Sequence, residues 1–477
     1  MSNYEIPGIY VELSADTSSP LKSAAGTIAG FAGIADRGLI GRAQLVSSWS
    51  DYVDKYAYGL ASPFSLNSDL GYSVYGYFQN GGKVCYISRV AHSTATKANL
   101  AIGSTAVVTA TALEAGVWGN GVSIEVEANG SNFDLTVYST LKGAEVVVEK
   151  YANLSNTQTS DTYYATIINA NSRYISVNAG GTLVAKIKTA LAGGIDGVSD
   201  IADTDYTDAL SQFDSAQGLS MLAIPGKTST TVQSALNTYS VGKKFIAIFD
   251  APPSATLSDL RTLRATLSCE RGCMAYPAVK VSDPLAGGVS RVTPISGHYA
   301  GVIARIVASR GVGKSPAGTE AVLKGVVDTV VALSDTDLKD LYEIRVNPVI
   351  TKTDYGVVIW GDASIATDSR FKDLSAITLD NHIQSEIYNG TQWVAFEPHN
   401  EETWNKVATY VQAILTPIWK AGNLKGSKAS EAFFVKCDAE LNNAKAIEDG
   451  ILYCQVGYAR QKPAKYIVFT ISQSVGN

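Results

Sequence analysis

Apolar and polar positions come in short, distinct bursts along this chain. Pro7-Gly8 is followed by Ile9, Tyr10, Val11, Glu12 and Leu13, an alternating strand-like run, and then by the polar stretch Ser14 to Pro20. A strand on such a tether has no partner nearby in sequence, so it must pair with a distant segment or with another chain. Residues 24–37 (AAGTIAGFAGIADR) predict a buried strand of small residues. Ser48 offers an N-cap to a helix through Tyr56, and Asn67 to Phe78 predict a second helix stopped by Asn80-Gly81-Gly82. Lys83 to Val90 predicts a strand.

The texture changes near residue 93. Residues 93–198 are rich in Thr, Ser, Ala, Asn and Val with alternation (SIEVEANG, FDLTVYS, EVVVEKY), which predicts an all-β insertion with a helix near 160–171. From about 199 the pattern becomes α/β. Helices at 206–215, 230–240 and 256–271 alternate with strands at 220–224, 245–249 and 273–281, the signature of a partly parallel sheet. The last third predicts helices at 294–310, 370–389 and 401–421 and a strand pair near 341–360. It closes with strand-like runs at Ala432–Cys437, Ile451–Tyr458 and Lys465–Ser472, so both chain ends carry strands on potential arms. The helix 401–421 has a core-facing apolar stripe and an opposite face open to a partner.

Composition narrows the classes. The chain has 477 residues, roughly two to four domains' worth. Charged residues are 17%, low for a soluble chain, which leaves much uncharged surface to bury against other copies. A net charge of −6 gives no global basic field for nucleic acid or anionic membrane. The start is not a secretory signal, and no run of ~18 apolar residues exists, which is the expectation for a chain folded in a cytoplasm. The five cysteines, Cys85, Cys269, Cys273, Cys437 and Cys454, contain no CxxC. Either all are reduced thiols, or some pair between chains once the assembly meets an oxidising medium. Cys269 and Cys273 would share a helix face if the helix reached them.

Candidate chemistry is sparse. Ala308 to Ser315 (ASRGVGKS) mimics a phosphate loop through Gly311–Ser315, which would make the chain a nucleotide-binding α/β enzyme. Residues 295–308 read as helix where a strand is needed, however, and Pro316 removes an amide N–H where donors are wanted. His92, His298, His382 and His399 have no paired metal spacing. Asp250 and Asp362 follow strands, a position compatible with catalysis or with an ordinary cap.

Taken together, several segments resemble the tail sheath proteins of contractile bacteriophage tails and related contractile injection systems. They are Pro7–Glu12, Gly30–Gly38, Tyr77–Tyr86, Trp118–Gly121, Leu191–Gly197, Ser315–Gly318, Val346–Pro348, Val358–Gly361, Phe396–His399, Trp419–Gly426 and Pro463–Phe469, in that order along nearly the whole chain. Lys465 departs from the acidic residue common in the family at that place, and Asp362-Ala-Ser-Ile365 departs after Gly361.

The resemblance implies a multidomain α+β or α/β fold. A core sheath domain would be built from both chain ends, 23–92 and 315–460, with an inserted β-rich outer domain (93–198), an inserted α/β domain (199–314) and strand-exchange arms at 1–22 and 461–477. It implies a structural subunit with no catalytic residue, cofactor or metal. That subunit would polymerise as six-fold rings stacked around a tail tube and contract to drive the tube through a cell envelope. Its expected partners are other copies of itself, the tail tube protein, and baseplate and tail terminator proteins at the ends, with no nucleic acid and no membrane insertion. Its expected place is the virion tail, assembled in the host bacterial cytoplasm. Ile9, Tyr10, Val11, Glu12, Tyr466, Ile467, Val468 and Phe469 would exchange strands between subunits. Lys406, Lys420 and Lys425 would face the tube, and inter-subunit disulfides would draw on the five cysteines. A non-contractile capsid or pilus-like subunit is the competing structural class.

Overall fold

The computed structural model describes residues 28–65, 68–103, 108–141, 144–267 and 269–462. Eight strands form its central sheet: β1 (Ile28–Gly33), β2 (Gln44–Val46), β3 (Cys85–Arg89), β4 (Leu219–Ala223), β5 (Ile246–Phe249), β6 (Gly272–Tyr276), β7 (Asn347–Lys352) and β8 (Gly356–Ile359). Their order is β8-β7-β6-β5-β4-β1-β3-β2. The six inner strands are parallel, while β2 and β8 join the edges antiparallel.

The inner strands read as continuous apolar runs because both faces are covered. Alternation sends successive residues of β5 to opposite sides. Ile246 and Ile248 enter a core with Met221 and Cys273, and Ala247 and Phe249 enter a second with Leu222 and Met274. The first core is closed by α3 (Ser296–Arg310), α4 (Leu374–Gly390) and α5 (Glu401–Lys420), together with α1 (Trp49–Tyr56) and α2 (Leu70–Gln79). The second is closed by helices at Asp203–Ser211, Thr230–Lys243 and Leu257–Thr266.

Local signals explain several boundaries. Ser48 accepts the Asp51 N–H and starts α1, as its position predicts. α2 and α3 pack backbone to backbone. The Cβ that Gly297 lacks would fall inside the van der Waals envelope of the Ser73 carbonyl, and the one at Gly301 would sit 2.5 Å from the Tyr77 carbonyl oxygen. Two expectations are corrected. The helix expected to run to 271 stops at Thr266, where Leu267 turns to extended backbone, and Cys273 lies in β6 opposite Ile248, so Cys269 and Cys273 share no helix face. The single strand expected over 273–281 divides at Pro277, which has no N–H to donate. Val279–Ser282 then pairs in a separate three-stranded sheet with Ser290–Thr293 and Val326–Thr329.

The segments that sequence texture separates are joined by this sheet. β1 to β3 come from 23–92, β4 to β6 from 199–314, and β7 and β8 from beyond 315. Residues 93–198 have their own core, including Ile124, Leu135, Val137 and Tyr164, between a four-stranded and a three-stranded antiparallel sheet. The helix expected near 160–171 is Tyr164–Asn171. Arg37 clamps this unit to the sheet. Its guanidinium is buried, donates to Glu114 at 2.8 and 3.1 Å and to the Tyr58 and Arg173 carbonyls, and lies 3.8 Å from the Trp118 ring centroid. These contacts satisfy a charge that would otherwise be costly to bury.

Candidate functional site

The C-terminal part carries a long helix with an exposed face and a separate hairpin. The Asn400 side chain accepts the Thr403 N–H and opens α5, with Glu401 and Glu402 in its first turn and Lys420 in its last, both matched to the helix dipole. Trp404, Val407, Val411, Leu415 and Ile418 form the buried stripe that the sequence spacing predicts. The opposite face is exposed. Trp393, Glu402, Lys406, Thr409 and Tyr410 border a shallow surface groove, and Phe396 nearby is 88% exposed.

After α5 the chain forms a hairpin of β9 (Phe433–Lys436) and β10 (Gln455–Tyr458), which pair only with each other among the described residues. The hairpin is anchored to the core by a buried polar network. Tyr458 donates to Asp380 Oδ1 at 2.7 Å, while Arg271 and Gln384 donate to Asp380 Oδ2 at 2.8 and 2.7 Å. Burial, followed by the neighbouring carboxylate, pushes the Tyr458 hydroxyl pKa up, so the tyrosine stays a donor. Arg460 adds a contact to Asp373 at 3.3 Å.

The three lysines expected to face a tube are all exposed. Lys406 pairs with Glu402 at 2.6 Å on the groove face. Lys420 ends α5, roughly 21 Å further along the helix axis and within about 40° of the same face. Lys425 lies beyond the helix, where its backbone N–H donates to the Ala459 carbonyl. The strand-exchange residues Ile9, Tyr10, Val11, Glu12, Tyr466, Ile467, Val468 and Phe469 fall outside the described residues. Cys85, Cys269 and Cys273 are fully buried, and desolvation raises all three thiol pKa values, that of Cys269 to about 12. A thiol so enclosed reaches no neighbouring chain without opening the core.

The phosphate-loop resemblance fails on geometry. Helix α3 precedes the loop, and only a short 3₁₀ turn at Gly318–Glu320 follows it. The Gly313 amide donates to Asn423 at 2.9 Å, and Lys314 pairs with Glu320 at 3.3 Å, so the donors meant for phosphate already have partners. No metal-competent cluster exists among the described residues, and no helix among them is long and apolar enough to cross a membrane.

Asp250 and Asp362 have a role that their sequence position did not distinguish. Each is buried at the end of a strand and holds the start of a helix. Asp250 accepts the Ser296 N–H and hydroxyl (3.0 and 2.6 Å) and the Gly226 N–H at 3.1 Å. Asp362 accepts the Ser375 N–H and hydroxyl (3.2 and 2.7 Å). Burial pushes both carboxyls up to about 6, against the opposing pull of the serine bonds. The pairings Asp250–Ser296 and Asp362–Ser375 span 46 and 13 residues, beyond the reach of local pattern, so only a structure reveals them.

Residues 200–365 match the family model of the phage tail sheath protein central domain. Over that segment the chain is similar to the tail sheath central domain, in line with the sequence resemblance. By sequence the chain is similar to a protein described as a prophage major tail sheath protein of Pseudomonas aeruginosa, 24% identical over 283 residues, which covers 58% of this chain and 70% of that one. It is also similar to the tail sheath protein of Vibrio phage KVP40, 30% identical over 182 residues, 38% of this chain but only 26% of the phage protein. By fold it is similar to the sheath tail protein of Listeria innocua, with a TM-score of 0.66 at 15% identity, covering 92% of this chain and 96% of that one. It is likewise similar to the contracted helical sheath of the anti-feeding prophage, with a TM-score of 0.60 at 20% identity, covering 99% and 100%.

Proposed function

We propose that this chain is the subunit of a contractile sheath. It polymerises as stacked six-membered rings around a tail tube in a metastable extended state, and contracts to drive the tube through the target envelope. The observation that carries this reading is the agreement of fold along the whole chain with a sheath subunit in a contracted assembly, joined to the family match of residues 200–365. Contraction in this reading is a rigid-body rearrangement from a trapped state to a lower one and needs no nucleotide hydrolysis.

Subunits connect through the arms. Residues 9–12 and 466–469 add strands to a sheet of neighbouring subunits, where main-chain hydrogen bonds supply the connection and alternating side chains set register. The β9–β10 hairpin suits the receiving role because it is a two-stranded sheet with unpaired outer edges among the described residues and a buried anchor to the core. The exposed side of α5, with Lys406, Lys420 and Lys425, faces the tube. Segments 23–92 and 315–460, joined through the sheet strands of 199–314, contribute the tube-proximal part, residues 93–198 lie outward, and baseplate and terminator proteins meet the ends. The sheath is built in the host cytoplasm and resides in the tail. Removing residues 1–22 tests the linkage. The truncated chain is expected to keep its circular dichroism spectrum and lose polymerisation by sedimentation, and tubes formed without the arm would overturn it.

A further inference from the structure

The pairing of β9 with β10 runs Phe433↔Tyr458, Phe434↔Gly457, Val435↔Val456 and Lys436↔Gln455. The next positions in this register are Cys437 and Cys454, directly opposite one another. Their parity follows from the ladder. The Ala459 N–H donates to the Ala432 carbonyl, so alternate pairs from there are hydrogen-bonded and the 437/454 pair is of the non-hydrogen-bonded kind, in which facing side chains stand closest. The two thiols are within hydrogen-bonding reach, and Cys454 donating to Cys437 holds the Cys437 pKa down. Asn442 fixes the approach. Its Nδ2 lies 4.0 Å from Cys437 Sγ and donates to the Tyr453 carbonyl at 3.0 Å, and its Oδ1 accepts the Tyr453 N–H at 2.7 Å. Cys454 is the one cysteine that is partly exposed, so an oxidant has access at this end of the ladder.

We propose that Cys437 and Cys454 form an intrachain disulfide across the C-terminal hairpin, with a low-molecular-weight disulfide as oxidant. One thiol of the pair loses its proton and its sulfur attacks a sulfur of the oxidant, breaking that S–S bond and releasing one small thiol. The second protein thiol then loses its proton and attacks the protein sulfur of the mixed disulfide, releasing the other small thiol. Two protein thiols are thereby oxidised to one disulfide, and one small disulfide is reduced to two thiols. The bond closes the loop 438–453 and restrains a two-stranded sheet of a kind that frays readily in isolation. Cys85, Cys269 and Cys273 stay reduced because they are enclosed. The disulfide forms within one subunit and does not depend on the sheath reading.

The test incubates the full native chain with oxidised glutathione, alkylates the remaining thiols, and maps peptides without reduction. The expected product joins Cys437 to Cys454, leaves the other thiols alkylated, and runs as a monomer on a non-reducing gel. C437S is expected to hold glutathione on Cys454 at least tenfold longer than the wild-type chain does, because the resolving thiol is gone. C454S offers the reciprocal reading at Cys437. A stable glutathione adduct on the wild-type chain, a Cys454–Cys454 dimer, or an unmodified pair would each overturn the proposal.

Discussion

Replacing Asp250 and Asp362 by asparagine removes two buried carboxyls whose pKa values burial has raised from 3.8 to about 6. A carboxyl shifted upward on folding binds protons more tightly in the folded chain. Its contribution to stability is fully present below pH 3.8 and is lost as pH rises through 6. Linkage with these values gives about 1.3 kcal/mol per group gained between pH 7 and pH 5, and about 2.6 kcal/mol for the pair. His298 acts in the opposite direction. It is fully buried beside Gly76, its Nδ1 has no hydrogen-bond partner among the described residues, and desolvation lowers its pKa from 6.5 to about 4. Its contribution is present above 6.5 and declines as pH falls, by about 1.8 kcal/mol between pH 7 and pH 5. Half-buried His382 is shifted in the same direction as His298 by desolvation. The wild-type profile over this window is therefore expected to be shallower than the two carboxyls alone would give, because the histidines oppose them. D250N/D362N is expected to lose about 2.6 kcal/mol relative to wild type on going from pH 7 to pH 5, whatever its offset at pH 7. For a cooperative unit of 150–250 residues, that is roughly 5–10 °C in Tm. Thermal melts of the unassembled chain at pH 7, 6 and 5 measure it. Parallel profiles for the two proteins would refute the assignment of buried, proton-binding carboxyls.

Gly297→Ala is expected to destabilise by about 1–2 kcal/mol, because overpacking against the Ser73 carbonyl outweighs the helix-propensity gain. Gly242→Ala, with nothing among the described residues within 4 Å of its absent Cβ, is expected to be neutral or stabilising by up to ~1 kcal/mol, and denaturant midpoints of the two give the comparison. Charge reversal at Lys406, Lys420 and Lys425 together is expected to abolish co-sedimentation with tube protein while leaving Tm within about 2–4 °C, since all three are exposed.

Much of the fold was legible in local pattern. The Ser48 cap, the apolar run of β5 and the stripe Trp404–Val407–Val411–Leu415–Ile418 each place an element because the side chain's burial follows from its period. The hairpin strands at 433–436 and 455–458 sit inside the runs read from sequence. What was not legible depends on distant pairings. Sequence texture separates 23–92, 199–314 and the region after 315, yet all three supply strands to one sheet, since texture reports local composition and not which strand lies beside which. The helix end at Thr266 was missed because Leu267–Arg271 carries no proline or glycine stop. In sequence Arg37 appears only as the end of a predicted strand, and Asp250 and Asp362 as carboxylates after strands, compatible with catalysis or with ordinary caps. Their importance lies in partners as far away as Glu114, Ser296 and Ser375.

The most direct measurement is electron microscopy of the chain co-expressed with its cognate tube protein. A contractile sheath subunit should appear as a wide, six-fold, hollow layer around the tube, in an extended form that shortens and widens after a destabilising trigger. Bare tubes beside dispersed copies of this chain would contradict the assignment.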